Sequence, residues 1–489
     1  MVVCTTALSA CVSVGPNFRS PQTPSTVSYT RTRLPVRTSS APGALGAAQE
    51  LVPAQTVAGD WWKSFGSSPL NTLVERALRN NPTLAAAEAT LRQAREVYAA
   101  QAGGTRLPTV GARLGATRSQ INPSSFGQSG GTETLFTLYN AGISVNYNLD
   151  LFGANRRALE ALAAQADYER YQFDAARLSV AANVVTTAFS RAQLAAQIDA
   201  TQAILKAQQS QVEIAQKRFQ LGATSRTDVL ALQAQMEQTR ASLPQLRNRL
   251  EQADHLLAVL AGQEPGAADI PRFSLADFTL PTRLPTIVPS EVLRQRPDIQ
   301  ASTALLHVAT AKYGVAVSEL YPQINLSGSL GTQALTTEAL FGPGSTVWSL
   351  AGQLAQPLFN GGLKAARNAA RANLQAAGAN YRQTVLQALR NVADTLRQLE
   401  NDADVMQAEA AADAASQESL RLVQQQYKLG AASYLQLLTA QQQAQQTRIG
   451  LIAAQRARLA DSAALYEAMG GGVLGTQHRP KNSVTVGDS

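Results

Sequence analysis

Two hydrophobic periods alternate along this chain. Over residues 110–117 the apolar Val110, Ala112, Leu114 and Ala116 take every second position, with Gly111, Arg113, Gly115 and Thr117 between them. The pattern returns over residues 139–150, where Tyr139, Ala141, Ile143, Val145, Tyr147 and Leu149 alternate with Asn140, Gly142, Ser144, Asn146, Asn148 and Asp150. A third run sets Ile324, Leu326, Gly328 and Leu330 against Asn325, Ser327, Ser329 and Gly331, and a fourth extends from Val347 to about Leu358. Period two predicts strands with one apolar and one polar face, each about long enough to cross a bilayer at a tilt. Polar, glycine-rich loops join them pairwise, at residues 119–134 and around Phe341-Gly342-Pro343-Gly344. One such hairpin alone fits a soluble sandwich equally well.

The rest of the chain reads with the helical period. Residues 154–221 contain neither glycine nor proline, and Phe173, Ala176, Val180, Val184 and Ala188 recur at helical spacing. A continuous helix there would be roughly 100 Å long, the length of a rod and not of a compact domain. A return helix is predicted over residues 225–260, with Pro244 as a kink or break. A second long helix covers residues 363–429, interrupted at Gly378, and its return helix ends at Gly470-Gly471-Gly472. Shorter helices are expected from Pro69 to Asn80 and from Pro82 to about Gly103.

The reversals between long and return helices are two copies of one stretch. Residues 218–235, RFQLGATSRTDVLALQAQ, reappear 208 positions later as residues 426–443, QYKLGAASYLQLLTAQQQ. Gly222 and Gly430 are placed to close the arriving helix in the left-handed conformation, and Ser225 and Ser433 to cap the departing one. A turn that merely connects helices is the plain alternative. Two copies flanked by such long helices would instead meet at one far end of the molecule.

The duplication extends further. Arg296-Pro297 matches Asn81-Pro82 at an offset of 215, under which Ala86, Ala89, Leu91, Ala94 and Tyr98 fall on Ala301, Ala304, Leu306, Ala309 and Tyr313. The predicted organisation is a short or truncated signal peptide (1–10), an N-terminal strap rich in Pro, Ser, Thr and Gly (11–57), a first repeat (58–261), a linker (262–289), a second repeat (290–472) and a loose tail (473–489). The fold class is therefore α+β. Four membrane-length strands are too few to close a barrel, and an open sheet edge cannot stand in lipid. Two chains would supply eight strands and three would supply twelve; a conducting pore favours three, because an eight-stranded barrel fills with its own side chains. No apolar stretch of about 18 residues predicts a transmembrane helix.

Composition narrows the chemistry. A formal charge of +8 admits nucleic acid or anionic lipid as partners, but the arginines are scattered with no basic block and no interleaved aromatics, so no nucleic acid is expected. His255, His307 and His478 stand far apart without metal-ligand spacing, and no nucleophile motif is present, so neither enzyme, metal site nor cofactor is expected. The two cysteines, Cys4 and Cys11, exclude a disulfide framework. Leu8-Ser9-Ala10-Cys11 has the small-residue shape of a lipoprotein processing site and makes Cys11 the candidate lipidation residue, the one covalent group expected. Only ten residues precede it and none is Lys or Arg, so a chance occurrence in a cytosolic N-terminus stays open.

Several motifs together resemble the TolC-like outer-membrane efflux proteins, most of all their lipoprotein branch, the NodT-type outer-membrane factors of resistance–nodulation–division pumps. They are CVSVGPNF at residues 11–18, DWWKSF at 60–65, LNTLVERALRNNP at 70–82, and RPDI at 296–299 with YPQI at 321–324. They follow the family's order from about residue 11 to residue 472. The resemblance implies a homotrimer, with a 12-stranded β-barrel in the outer-membrane lipid continuing into a long periplasmic α-helical barrel. It implies an exit duct docked to a periplasmic membrane-fusion adaptor and an inner-membrane resistance–nodulation–division transporter. Outer-membrane channels of type I protein or peptide secretion share that architecture and remain an alternative. A cytosolic coiled-coil rod would leave the strands and Cys11 without purpose.

The same resemblance assigns roles at the paired turns. Arg218, Leu221, Gly222, Ala223, Leu429, Gly430 and Ala431 become the periplasmic tip and adaptor contact. Asp228, Leu435, Gln436 and Thr439 become the gate, with Leu435 as the main seal and Thr439 standing where relatives commonly carry aspartate. Asp228 either pairs with an arginine such as Arg226 or Arg218 on a neighbouring helix or simply caps its own helix. A wall of Ala, Gln, Asn and Ser is expected to be wet and unselective, leaving substrate choice to the pump.

Overall fold

The computed structural model describes residues 13–22, 28–53, 57–122 and 133–472. The signal peptide and tail predicted at the ends, Cys4 and Cys11, and residues 123–132 of the first hairpin loop lie outside them. The chain divides into two compact units. One comprises residues 1–21, 90–170 and 301–382, the other residues 22–89, 171–300 and 383–489.

The elements follow in the order β1 (Glu50–Pro53), α1 (Ser68–Asn80), α2 (Pro82–Arg106), β2 (Thr109–Ile121), β3 (Thr134–Leu149), α3 (Ala154–Gln220), α4 (Arg226–Leu260), β4 (Arg283–Thr286), α5 (Pro289–Gln295), α6 (Pro297–Ser318), β5 (Gln323–Ala334), β6 (Thr346–Ala355), α7 (Gly361–Lys428) and α8 (Tyr434–Ala468). From α1 to α4 and from α5 to α8 the same succession of helices and strands occurs twice. Pro244 lies inside α4 without breaking it, and α7 runs through Gly378 as the single long helix expected. Loss of one donor, or of one side chain, is tolerated where the turns on either side hold the helix. The fourth strand stops at Ala355, short of Leu358, while β2, β3 and β5 run beyond their predicted ends.

In the first unit β2, β3, β5 and β6 form one antiparallel sheet in that order. The register keeps the two periods in step across all four strands. Val110 faces Val145, which faces Gly328 and then Leu350; the neighbouring row is Ala112, Ile143, Leu330 and Trp348. Between these rows stand polar ones, such as Gly111, Ser144, Ser329 and Ser349. One face is thus apolar except for Arg118 and Gln120 toward the hairpin end of β2, and it is uncovered: Leu114 is 79% and Leu350 80% exposed. Among the described residues the outer edges of β2 and β6 have no partner strand.

The core of the second unit gathers around the Trp-Trp pair. Trp61 stacks on Tyr466 with ring centroids 5.6 Å apart, and Phe65 meets Phe189 edge-on at 4.9 Å. Leu70, Leu73 and Val74 of α1, the helix expected from Pro69 to Asn80, pack into the same cluster. The strap is not a loose tether. Its β1 pairs in parallel with β4, inside the stretch read as a linker. Gln49 is fully buried and donates to Pro281 O and Ser462 Oγ, each at 2.8 Å. Arg458 of α8, 1% exposed, donates to Gln49 Oε1 at 2.9 Å and to Ala47 O at 3.1 Å.

Close to Arg458 lies Asp461, buried beside Asp402. Burial first, and then the second carboxylate, push the Asp461 carboxyl up to about 8. Between the ordinary aspartate value and that pH the unfolded chain releases a proton that the folded chain keeps, so this group costs stability increasingly as pH rises through the interval. Asp461→Asn is expected to stabilise the protein at neutral pH by about 1–3 kcal/mol and to flatten stability between pH about 5 and 8. Thermal unfolding in detergent across that range measures both.

Candidate functional site

The two copies of the turn are built alike. Gly222 and Gly430 adopt φ of 73° and 77°. The amide of Ala223 reaches back to Arg218 O and that of Ala431 to Gln426 O, both at 2.8 Å, while Gly222 N and Gly430 N donate to Phe219 O and Tyr427 O. Both are Schellman closures, which satisfy the last carbonyls of a helix. Each departing helix opens on a capping box, Ser225 with Asp228 and Ser433 with Gln436.

The hairpins come together in the second unit. Val212 and Ala215 of α3 and Val229 and Leu232 of α4 form a small buried cluster, against which Met236 and Tyr434 pack. Arg218 closes the contact. Its guanidinium lies 5.1 Å from the Tyr427 ring and donates to Tyr427 O at 3.1 Å and Lys428 O at 2.8 Å. One arginine thus caps the C-terminus of the other long helix, where positive charge and donors are favoured.

The remaining predicted tip residues are placed as follows. Leu221 and Leu429, next to the glycines, are each 84% exposed, and Leu435 is 68% exposed. Thr439 spends its hydroxyl on Leu435 O at 2.9 Å, and Gln436 spends its side chain on Ser433 N at 2.7 Å. The Asp228–arginine latch is not formed in this chain. Asp228 accepts from Thr224 Oγ1 at 3.1 Å and Ser225 N at 3.3 Å, and Arg218 is committed to carbonyls. The hydrogen bonds from Ser225, and then that from Thr224, hold the Asp228 carboxyl below its usual value. Capping, the plainer of the two readings of Asp228, is what the local geometry contains.

Sequence reasoning missed a fastening in the first unit. Arg157, almost wholly buried, donates to Asn17 Oδ1 at 2.6 Å, to Val14 O and Gly15 O at 3.4 Å, and pairs with Glu160 at 2.6 Å. His307, read as an ordinary helix residue, stacks on Phe18 with centroids 4.2 Å apart and meets Glu160 Oε1 at 2.8 Å. Burial raises the Glu160 carboxyl, but the Arg157 and His307 hydrogen bonds outweigh it and hold the group low. No spacing rule links residues 14–18 to positions 157, 160 and 307, so no local signal could have found this cluster. Among the described residues no three or more His, Cys, Asp or Glu side chains are grouped to hold a metal ion, and no helix is long and apolar enough to cross a membrane.

The family model for outer membrane efflux proteins matches residues 73–263 and 288–471. Nodulation protein T of Rhizobium leguminosarum bv. viciae is 28% identical over 483 residues, covering 98% of this chain and 94% of the relative. The pyoverdine export outer membrane protein OpmQ of Pseudomonas putida is 29% identical over 416 residues, 84% of this chain and 88% of its own length. Among solved structures, the outer-membrane channel OprN superposes with a TM-score of 0.84 at 28% identity, covering 94% of this chain and 99% of its own. With both repeated successions of helices and strands matched, the chain belongs to the outer membrane efflux protein family.

Proposed function

We propose that this outer-membrane efflux protein is the exit duct of a tripartite system, receiving small molecules from an inner-membrane resistance–nodulation–division transporter through a periplasmic membrane-fusion adaptor. The observation that carries the reading is the sheet, whose apolar face is uncovered and whose two edges lack partners. An apolar face suits lipid, and open edges in lipid require further strands. Three copies supply a 12-stranded barrel with the polar rows inward, and the paired long helices extend it as an α-helical barrel. The family model's two matched stretches support two internal repeats. OpmQ, a relative that exports pyoverdine, favours small-molecule export over protein secretion. A structural rod leaves the apolar face of the sheet unexplained.

Cys11 carries the lipid anchor in this reading. The paired turns form the periplasmic tip, where the exposed Leu221 and Leu429 offer apolar contact to adaptor hairpins and three copies of Leu435 seal the axis. The tip is held by Arg218 on the carbonyls of Tyr427 and Lys428, and Asp228 keeps the start of α4 in place.

Three outcomes are expected. Size analysis in mild detergent yields trimers, and folded monomers with full β content at high dilution would count against the barrel. Intact-mass spectrometry of protein taken from membranes finds lipid on a chain beginning at Cys11; an unmodified chain that keeps Met1 overturns the anchor. In planar bilayers, Leu435→Ala and Arg218→Ala each raise resting conductance, Thr439→Asp increases cation selectivity, and Asp228→Ala costs only the cap, about 1 kcal/mol. An unchanged conductance in Leu435→Ala, with an open pore in Asp228→Ala, would make the seal electrostatic instead.

A further inference from the structure

The four strands that make the proposed duct wall contain two charged residues, Arg113 and Arg118, and no acidic one. They stand five positions apart on β2, so they project from opposite faces. Arg118 shares the apolar face, toward the hairpin end of the strand. Arg113 shares the polar face, where it is the one formal charge on the four strands.

Its surroundings are as unusual as its charge. The register sets Gly142 directly across from Arg113 and Gly331 across from Gly142, while Gly111 and Gly115 lie two positions away on β2 itself. None of these four neighbours has a side chain, and two have no room for one. A Cβ on Gly142 would stand 2.9 Å from Leu330 O, and one on Gly331 2.5 Å from Ala141 O. Gly142 and Gly331 floor a hollow of about 210 Å³, whose polar lining includes Arg113, Asn140, Ser144, Ser329 and Gln333. That is space for about seven waters, or for a small organic anion.

We propose that this hollow is a binding station for small anions, carboxylates above all, and that Arg113 biases the duct toward anionic cargo. The inference rests on the duct reading, since it needs the polar face to line water. A guanidinium presents a planar pair of donors that matches a carboxylate, and its charge does not titrate at working pH. With no acid on the strands to neutralise it, the charge acts on whatever passes. An exposed position keeps the binding weak, as a passage requires: a station must release what it takes. The wall is then not unselective, because the one strand charge on its polar face is set in a glycine-floored recess.

Thiol labelling tests the field at the station without depending on the state of the tip. Ser329→Cys places a thiol in the hollow, and its reaction rates with anionic sulfonatoethyl methanethiosulfonate and cationic trimethylammonioethyl methanethiosulfonate are compared in the full-length protein. The anion-to-cation rate ratio is expected to fall about threefold on adding Arg113→Ala and about tenfold on adding Arg113→Glu. Arg113→Lys should leave it near its starting value. Equal ratios in all four backgrounds overturn the proposal. Should Arg113→Glu fail to fold, Arg113→Gln carries the same comparison. A Ser329→Cys thiol closed to both reagents, beside a Leu330→Cys thiol open to both, would instead invert the faces of the sheet and overturn the duct reading itself.

Discussion

In hydrocarbon a backbone amide has no water to turn to, and each unpaired group costs several kcal/mol. In the proposed barrel that constraint governs the sheet. β3 over residues 139–146 and β5 over residues 324–332 are paired on both sides, so their backbone groups there are satisfied within one molecule. β2 and β6 each keep one open row. The strict alternation of side chains has the same origin, since a strand between lipid and water must sort its residues by face at every step. A one-residue slip in the β3–β5 ladder would turn Leu330 and Trp348 toward the polar side and Ser329 and Ser349 toward the apolar one.

Helix ends pose a gentler form of the same problem, because the last carbonyls and first amides of a helix lack partners of their own. The paired turns solve it twice with the same parts, a left-handed glycine and a serine capping box. The copies then part company. Arg218 serves the carbonyls of the other helix, whereas the matching position, 208 residues on, is Gln426. Asp228 and Gln436, matched in the same way, fill the same capping role with different charge. The backbone solution is duplicated, while the arginine that joins the two hairpins belongs to the first copy and meets Tyr427 and Lys428 of the second.

What could be read in advance follows from range. Strand faces and long helices rest on contacts a few residues apart, so the alternation over residues 139–149 and the Gly- and Pro-free run after Ala154 announced β3 and α3. Gly222, Gly430, Ser225 and Ser433 were legible for the same reason. Pro244 breaks nothing, because propensity is a weak prior against the cooperativity of a long helix. Pairings across hundreds of residues left no mark: β1 with β4, Arg157 with Asn17, Arg218 with Tyr427. The stretch read as a tether is accordingly the place where the prediction departed most from the structure.

The burial of Gln49 orders events in time. Its side-chain amide is satisfied by Pro281 and Ser462, and its carbonyl oxygen by Arg458. The last of these partners lies 413 residues further along the chain. A chain emerging N-terminus first therefore presents this segment long before anything exists to hold it, and closing so large a loop is entropically slow to be rewarded. Docking of Gln49 becomes a late step, completed only when α8 has arrived. A product truncated before Arg458 leaves the Gln49 side chain with Pro281 alone of its three partners, while β1 keeps its pairing with β4.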